Sequence, residues 1–174
     1  MGGTAASLQS YRKAEGIRRA VLGESKTEAD RDRREEALAN TLMRISSILR
    51  ATGEGQAALE ADRTALEMRR RLLDRKPDDV TRLRNVASSL TATSASLSLL
   101  GAFQGVLELR REGLALYEKL AKRPGSNEDD QQGLALAETR MASILLHEND
   151  RKGAVQHYRE ALRIQAALYA KHQG

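Results

Sequence analysis

The sequence has no cysteine, no tryptophan and no long apolar run, and four tyrosines and one phenylalanine are its only aromatic side chains. Without cysteine, the chain can form neither a disulfide framework nor a thiolate metal site. No segment approaches the roughly 20 apolar residues that span a bilayer, and residues 1–13 lack the apolar core of a signal peptide. We therefore expect a soluble, cytoplasmic protein without a membrane partner.

Proline is also scarce, since Pro77 and Pro124 are the only two. Proline inside a helix costs about 3 kcal/mol, so two widely spaced prolines predict boundaries between helical units. Most of the apolar residues are alanine and leucine, which are strong helix formers. These features together predict an all-α chain in which helices pack through many small contacts.

The net charge of +5 and the pI of about 9.7 raise the question of nucleic acid binding. Arginine carries most of the positive charge, and each arginine cluster has glutamate or aspartate beside it. Such patterns are typical of exposed helix surfaces with pairs at i,i+4. A nucleic acid surface would place basic residues on one face with aromatic side chains between them. The composition disfavours that alternative.

Segments of the chain repeat one another with a nearly constant period. Four segments align at successive shifts of 51, 48 and 48 residues: 7–22, 58–73, 106–121 and 154–169. The first and last share residue types at equivalent places, including Tyr11 with Tyr158 and Arg12 with Arg159. A fixed period of tens of residues is typical of a stacked array of similar units.

Apolar residues within each unit follow helical spacing, as at Leu38, Leu42, Ile45 and Leu49. The pattern predicts seven helices, over about 4–22, 27–52, 55–75, 79–100, 103–122, 128–147 and 150–171. Short turns between them require antiparallel neighbours. We expect one repeat domain over 1–174, divided into a half repeat 1–25 and repeats 26–77, 78–124 and 125–174.

The second helix of each unit resembles that of tetratricopeptide repeats, with a small–aromatic–small pattern. The pattern is formed by Ser7, Tyr11 and Ala14 in the first unit and by Ala154, Tyr158 and Ala161 in the last. The family's turn glycine is matched by Gly53 and Gly101, with Gly2 and Asn149 at the equivalent positions. The middle units depart from the pattern, because Asp62 and Arg110 replace the aromatic residue and Gly113 replaces the second alanine.

The resemblance implies a right-handed solenoid of helix pairs that binds other proteins. The period of about 48 exceeds the family's usual 34. Longer helices account for the longer period. Helices of this length are similar to those of the repeat arrays that follow the catalytic domain of some bacterial serine/threonine kinases. HEAT-like helix pairs have a closer period but do not explain the Ala–Tyr–Ala spacing.

Catalytic and metal-binding patterns are missing from the sequence. His147, His157 and His172 are the only histidines, and none has metal-ligand spacing. The serine-rich segment 87–101 has no nucleophile elbow, and 53–58 is a turn without the lysine of a phosphate-binding loop. We predict a protein that is not an enzyme and needs no cofactor or metal.

In the tetratricopeptide family the first helices line a concave groove that holds an extended peptide. The resemblance places that groove here at Asn40, Met43, Arg44, Ser47, Arg50, Ser88, Thr91, Ser98, Thr139, Arg140 and Ser143, together with Ala95, Leu136 and His147. The lysine and asparagine with which some members clamp a peptide carboxylate are absent. Arg44, Arg50 and Arg140 are the candidates for binding carboxylate or phosphate, although arginines of this kind also occur simply as solvated surface residues.

The ends of the chain support a second hypothesis, a structural module that associates with itself. The first predicted helix lacks its partner, which would leave Ile17, Val21 and Leu22 uncovered. The last helix keeps Leu162, Ile164, Leu168 and Tyr169 without a polar capping helix after it. Uncovered ends favour homodimers. The opening residues 1–3 also suggest a piece of a longer protein, and the resemblance to kinase-linked arrays implies a bacterial protein with a kinase domain. The sequence does not identify the partner.

Overall fold

A computed structural model describes residues 2–172, and these residues form seven α-helices with no strand among them. The helices are α1 (Gly2–Leu22), α2 (Glu28–Ala51), α3 (Gly55–Arg75), α4 (Val80–Leu99), α5 (Phe103–Lys122), α6 (Glu128–His147) and α7 (Arg151–Lys171). The predicted helix ends agree with these to within one or two residues. The all-α fold class is confirmed.

Local side-chain chemistry explains where several helices begin. The side chains of Thr27 and Asp79 accept hydrogen bonds from backbone N–H groups in the first turns of α2 and α4. Asn127 forms a capping box with Asp130 at the start of α6. These caps satisfy N–H groups that have no partner within the helix, so the helix starts are determined by single residues.

The turns that follow α2, α4 and α6 share one backbone feature. Gly53 has φ of 82°, Gly101 has φ of 72°, and Asn149 has φ of 62°. Glycine adopts this left-handed region freely, and asparagine is among the few other residues that tolerate it. The three positions aligned as turn residues in the sequence therefore have the same conformation.

The chain divides into two compact units, Met1–Gly101 and Ala102–Gly174. In the first unit, α3 packs on both α2 and α4, and α1 packs on α2. In the second unit, α6 packs on both α5 and α7. The division into repeats at residues 25, 77 and 124 stays a prediction.

Two core clusters of the first unit lie between α2 and α3, and α4 buries further apolar residues. One cluster of buried residues consists of Leu38, Ala39, Leu42, Ala65 and Met68, and a second of Ile45, Leu49 and Ala58. The second unit buries residues of all three of its helices, namely Val106, Leu114, Leu120, Leu134, Met141, Ile144, Ala154, Ala161, Ile164 and Leu168. Within the described residues, no helix is both long and apolar enough to cross a bilayer.

Helix α1 is less bare than the sequence predicts. Leu8 and Tyr11 pack against the second core cluster and Leu22 against the first. The Arg18 guanidinium donates to the Thr41 hydroxyl. Only Ile17, with 57% of its surface exposed, matches the expectation of an uncovered apolar side chain.

Helix α7 likewise differs in part from the expectation. Ile164 and Leu168 are buried, with 8% or less of their surface exposed, whereas Leu162 and Tyr169 keep about two thirds of theirs exposed. Because α7 packs along α6, one side of α7 faces inward on successive turns and the other side stays exposed. The uncovered part of α7 is therefore one side of the helix, formed by Leu162 and Tyr169 with Val155 and Tyr158.

Candidate functional site

A groove of about 430 Å³ lies in the first unit between α2 and α4, with α3 beneath it. Its lining consists of Asn40, Met43, Arg44, Ser47, Arg50, Arg69, Ser88, Thr91, Ala92 and Ala95. All of these except Arg69 and Ala92 belong to the set predicted from the sequence. The predicted residues lie on one surface because steps of three and four residues keep side chains on one face of a helix. The faces of α2 and α4 that line the groove are equivalent in the repeat. We call this surface the α2–α4 groove.

A second depression, also of about 430 Å³, adjoins the α2–α4 groove on the side of α1. It is lined by Gly3, Thr4, Ser7, Tyr11, Arg44, Ser47 and Ile48. Arg44 and Ser47 line both depressions and are exposed. Arg44 makes no hydrogen bond or ion pair within residues 2–172, so its guanidinium donors face solvent at the ridge between the two depressions.

The α2 wall of the α2–α4 groove is held by an ion pair between Arg50 and the buried Asp62. Asp62 is fully buried, and its Oδ2 lies 2.7 Å from Arg50 Nη1 and accepts a hydrogen bond of 2.6 Å from Ser96 Oγ. The Ser46 hydroxyl donates to Asp62 Oδ1. Charge-assisted hydrogen bonds of this kind are the strong ones. Arg50 therefore links α2 to α3, in addition to lining the groove.

Arg69 is a groove residue that the sequence reasoning missed. It is buried, with 4% of its surface exposed, and it pairs with Glu36 on α2, Nη2 to Oε1 at 3.0 Å. Its Nη1 donates to the Asn85 carbonyl and the Ser89 hydroxyl on α4. Its Nη2 also donates to Asn40 Oδ1 at 2.6 Å, which directs the donor end of the Asn40 amide away from Arg69.

Arg69 has a sequence signal, because it lies on the buried face of α3. That face recurs at steps of three or four residues through Ala58, Asp62, Ala65, Arg69 and Leu72. Two charged residues on an otherwise apolar face indicate buried ion pairs, since an unpaired buried charge is strongly destabilising. What the sequence does not show is which residues supply the partners.

Ion pairs also connect the N-terminal ends of α2 and α4. Arg82 donates to Asp32 Oδ2 at 2.6 Å, and Arg75 on α3 pairs with the other Asp32 oxygen. Burial raises the pKa of Asp32, but the hydrogen bonds from Arg82 and Arg75 more than offset this and hold the pKa below its ordinary value. The contact between Asp32 and Arg82 fixes the spacing of the two groove walls.

The remaining predicted site residues do not line the α2–α4 groove. The hydroxyl of Ser98 donates to the Ser94 carbonyl in its own helix. Thr139, Arg140 and Ser143 lie on α6 in the second unit, where the Thr139 hydroxyl donates to the Ala135 carbonyl. Leu136 and Ser143 are exposed, and His147 stacks on Phe103 with ring centroids 3.7 Å apart. Among the described residues, no three His, Asp or Glu side chains are placed to hold a metal ion.

Comparison with known proteins supports a tetratricopeptide-like repeat. Residues 38–79 match the model of a tetratricopeptide repeat family. This segment contains most of α2, all of α3 and the turn after it, so it includes one wall and the floor of the α2–α4 groove. No curated protein gives a significant sequence match.

Two solved structures share the fold. The apo form of RapI superposes with a TM-score of 0.69 and 15% identity, covering 98% of this chain and 39% of that one. BtubC (BKLC) from P. vanneervenii superposes with a TM-score of 0.62 and 15% identity, covering 92% of this chain and 75% of that one. The chain thus spans about two fifths of the RapI chain. At this identity the similarity shows the helical repeat fold alone, and a link to kinases stays a prediction.

Proposed function

We propose that this tetratricopeptide-like chain is a protein–protein interaction scaffold, and that its α2–α4 groove binds an extended segment of a partner protein that carries an acidic side chain. The observation that supports this most strongly is Arg44. It is an exposed guanidinium without a partner in the described residues, and it lies where two depressions of about 430 Å³ meet.

The other groove residues suit an extended backbone. Ser47, Ser88 and Ala95 have small side chains, so a peptide main chain can approach α2 and α4 closely. The serine hydroxyls and the Asn40 amide are hydrogen-bonding groups for peptide N–H and C=O groups. The ion pairs of Arg50 and Arg69 hold the walls in place before binding, which lowers the entropic cost of association.

Charge selects the kind of segment. Arg50 and Arg69 are compensated by Asp62 and Glu36, which leaves Arg44 as the groove's uncompensated charge. A carboxylate that forms a forked pair with Arg44 gains charge-assisted hydrogen bonds. We therefore expect partner segments with a glutamate, an aspartate or a terminal carboxylate between small or polar residues.

A peptide-display selection on the full chain, followed by fluorescence anisotropy with the selected peptides, tests the proposal. Replacing Arg44 by alanine removes hydrogen bonds to a charged group, worth about 1.5–3 kcal/mol, so affinity falls by roughly 10- to 100-fold. Arg63→Ala is the matched control, because Arg63 is exposed on α3 and has no partner in the described residues. Selected peptides without acidic residues, or equal losses in both variants, would contradict the proposal.

Self-association is the second candidate, and the exposed side of α7 favours it. Val155, Tyr158, Leu162 and Tyr169 form a stripe of exposed large apolar side chains at helical spacing. On this hypothesis light scattering across a dilution series shows a dimer that dissociates on dilution and that Leu162→Asp abolishes. Leu168→Asp is unsuitable as a probe, because Leu168 is buried. A monomer at every concentration would rule the hypothesis out.

A further inference from the structure

The seam between α5 and α6 has a defined register. The Tyr117 ring lies against Gly133, where an added Cβ would clash with Tyr117 Cε1. The two helices run antiparallel, since only a short turn joins them. Arg110 lies seven residues before Tyr117 on α5, and Arg140 lies seven residues after Gly133 on α6. Because the helices are antiparallel, both arginines lie two turns from the contact between Tyr117 and Gly133, opposite each other across the seam.

Arg110 has no internal partner for its charge. Its Nε and Nη1 atoms are buried without a hydrogen-bond partner, and no carboxylate pairs with it in the described residues. Burial lowers the pKa of Arg110, and repulsion from the nearby Arg140 lowers it further. Burial also lowers the pKa of Arg140. Buried polar atoms are almost always hydrogen-bonded, so two unbonded guanidinium nitrogens in one residue need a physical explanation.

The first unit shows how the same repeat position is satisfied internally. By the 48-residue shift, Arg110 corresponds to Asp62 and Arg140 to Ala92. Asp62 is fully buried, but Arg50 and two serine hydroxyls bond to it. In the second unit the charge at this position is reversed and a second positive charge is added opposite it. For Arg110, residues 2–172 supply no counter-ion.

We propose that Arg110 and Arg140 bind a phosphate-type dianion at the α5–α6 seam. A phosphate carries a charge of about −1.5 to −2 at neutral pH and three acceptor oxygens, so it can compensate Arg110 and still accept a hydrogen bond from Arg140, whereas a carboxylate has one charge and two oxygens. The planar donor fork of arginine matches its oxygens. Both side chains are partly exposed, so the anion can enter from solvent. The phosphate is either free or carried by a partner's phosphorylated side chain.

This site lies in Ala102–Gly174, whereas the α2–α4 groove lies in Met1–Gly101. The two proposals therefore fail independently. Loss of peptide binding in an Arg44 variant leaves phosphate binding at Arg110 unchanged, and the reverse also holds.

Arginine Nε–Hε resonances of the ¹⁵N-labelled full chain provide the test. Inorganic phosphate, a phosphoserine peptide and acetate are titrated separately at constant ionic strength. We expect the Arg110 Nε signal to shift and saturate with inorganic phosphate at a Kd of about 1 mM or below, and acetate to give at least a tenfold weaker response. A phosphoserine peptide that binds tenfold or more tightly than the free ion identifies a phosphorylated partner as the source, and equal affinity identifies the ion itself.

Two variants assign the response to this site. Arg110→Gln is expected to abolish the saturating shift and the rise in melting temperature with phosphate. The matched control is Arg111→Gln, because Arg111 is exposed and has no partner in the described residues; it should retain both effects. If Arg110→Gln fails to fold, the proposal is tested by Arg140→Gln, which should also lose the saturating shift, and by the titration of the unmodified chain. A linear, unsaturated shift, or equal responses to acetate and phosphate, would overturn the proposal.

Discussion

At the residue scale, Asp62 shows how a charged side chain can replace an aromatic one in a repeat without loss of order. It occupies the aromatic position of the repeat pattern, and its oxygens accept hydrogen bonds from Arg50, Ser46 and Ser96. Such a network is stabilising only while every member is satisfied. Removing Asp62 leaves the buried Ser46 and Ser96 hydroxyls without this acceptor and Arg50 without its carboxylate.

We predict that Asp62→Ala lowers the free energy of unfolding by about 3 kcal/mol, because it leaves the Arg50 charge uncompensated. Urea denaturation followed by circular dichroism measures the change. Asp74→Ala is the control, since Asp74 is exposed and has no partner in the described residues, and we expect it to change stability by less than about 0.5 kcal/mol. Equal effects from the two substitutions would show that the network contributes nothing.

Individual residues also mark the limit of what the sequence predicts. The resemblance to tetratricopeptide repeats identifies Asp62 as a departure from the pattern and Arg50 as a surface-lining residue. It does not show that the two pair, because the side-chain geometry that brings α2 and α3 together is a property of the packed structure. Arg69 is missed for the same reason, since its partners come from both α2 and α4.

At the scale of single helices, the sequence predicts the boundaries well because local chemistry determines them. Gly53, Gly101 and Asn149 adopt left-handed conformations that few other residues tolerate. Asn127 and Asp79 cap the helices that follow them. Which side of a helix is buried is less predictable, and α7 illustrates this: Ile164 and Leu168 face inward whereas Leu162 does not.

The α5–α6 seam depends on the absence of a side chain at Gly133. We predict that Gly133→Ala destabilises the chain by about 1–3 kcal/mol through overpacking against Tyr117, although alanine is the better helix former. Gly16→Ala is the contrasting variant, because no atom lies within 4 Å of the added Cβ on α1. It should stabilise by about 0.5–1 kcal/mol. Thermal unfolding of both variants measures the difference, and a gain in stability in both would contradict the seam register.

At the scale of the whole molecule, the repeat period predicts the fold class and the number of helices. A fixed shift of about 48 residues leads directly to seven helices, and the structure confirms them. The same shift places eight groove residues on one surface of the first unit. It cannot determine function, because repeats that share a backbone differ in the charges of their surface residues, as Asp62 and Arg110 show.

The net charge of +5 agrees with the kind of partner that the proposed function requires. Among the arginines that lack an internal carboxylate, Arg44 in the first unit and Arg110 in the second are the positions where we expect an acidic partner to gain most. Long-range attraction between a basic chain and an acidic partner accelerates encounter and weakens with added salt.

Amide hydrogen exchange of the full chain, free and saturated with a display-selected acidic peptide, tests the central claim most directly. If the α2–α4 groove is the binding surface, the peptide increases protection in α2 around residues 40–50 and in α4 around residues 88–95, and leaves α7 unchanged. Protection confined to residues 155–169 of α7, with none in α2 or α4, would contradict that claim.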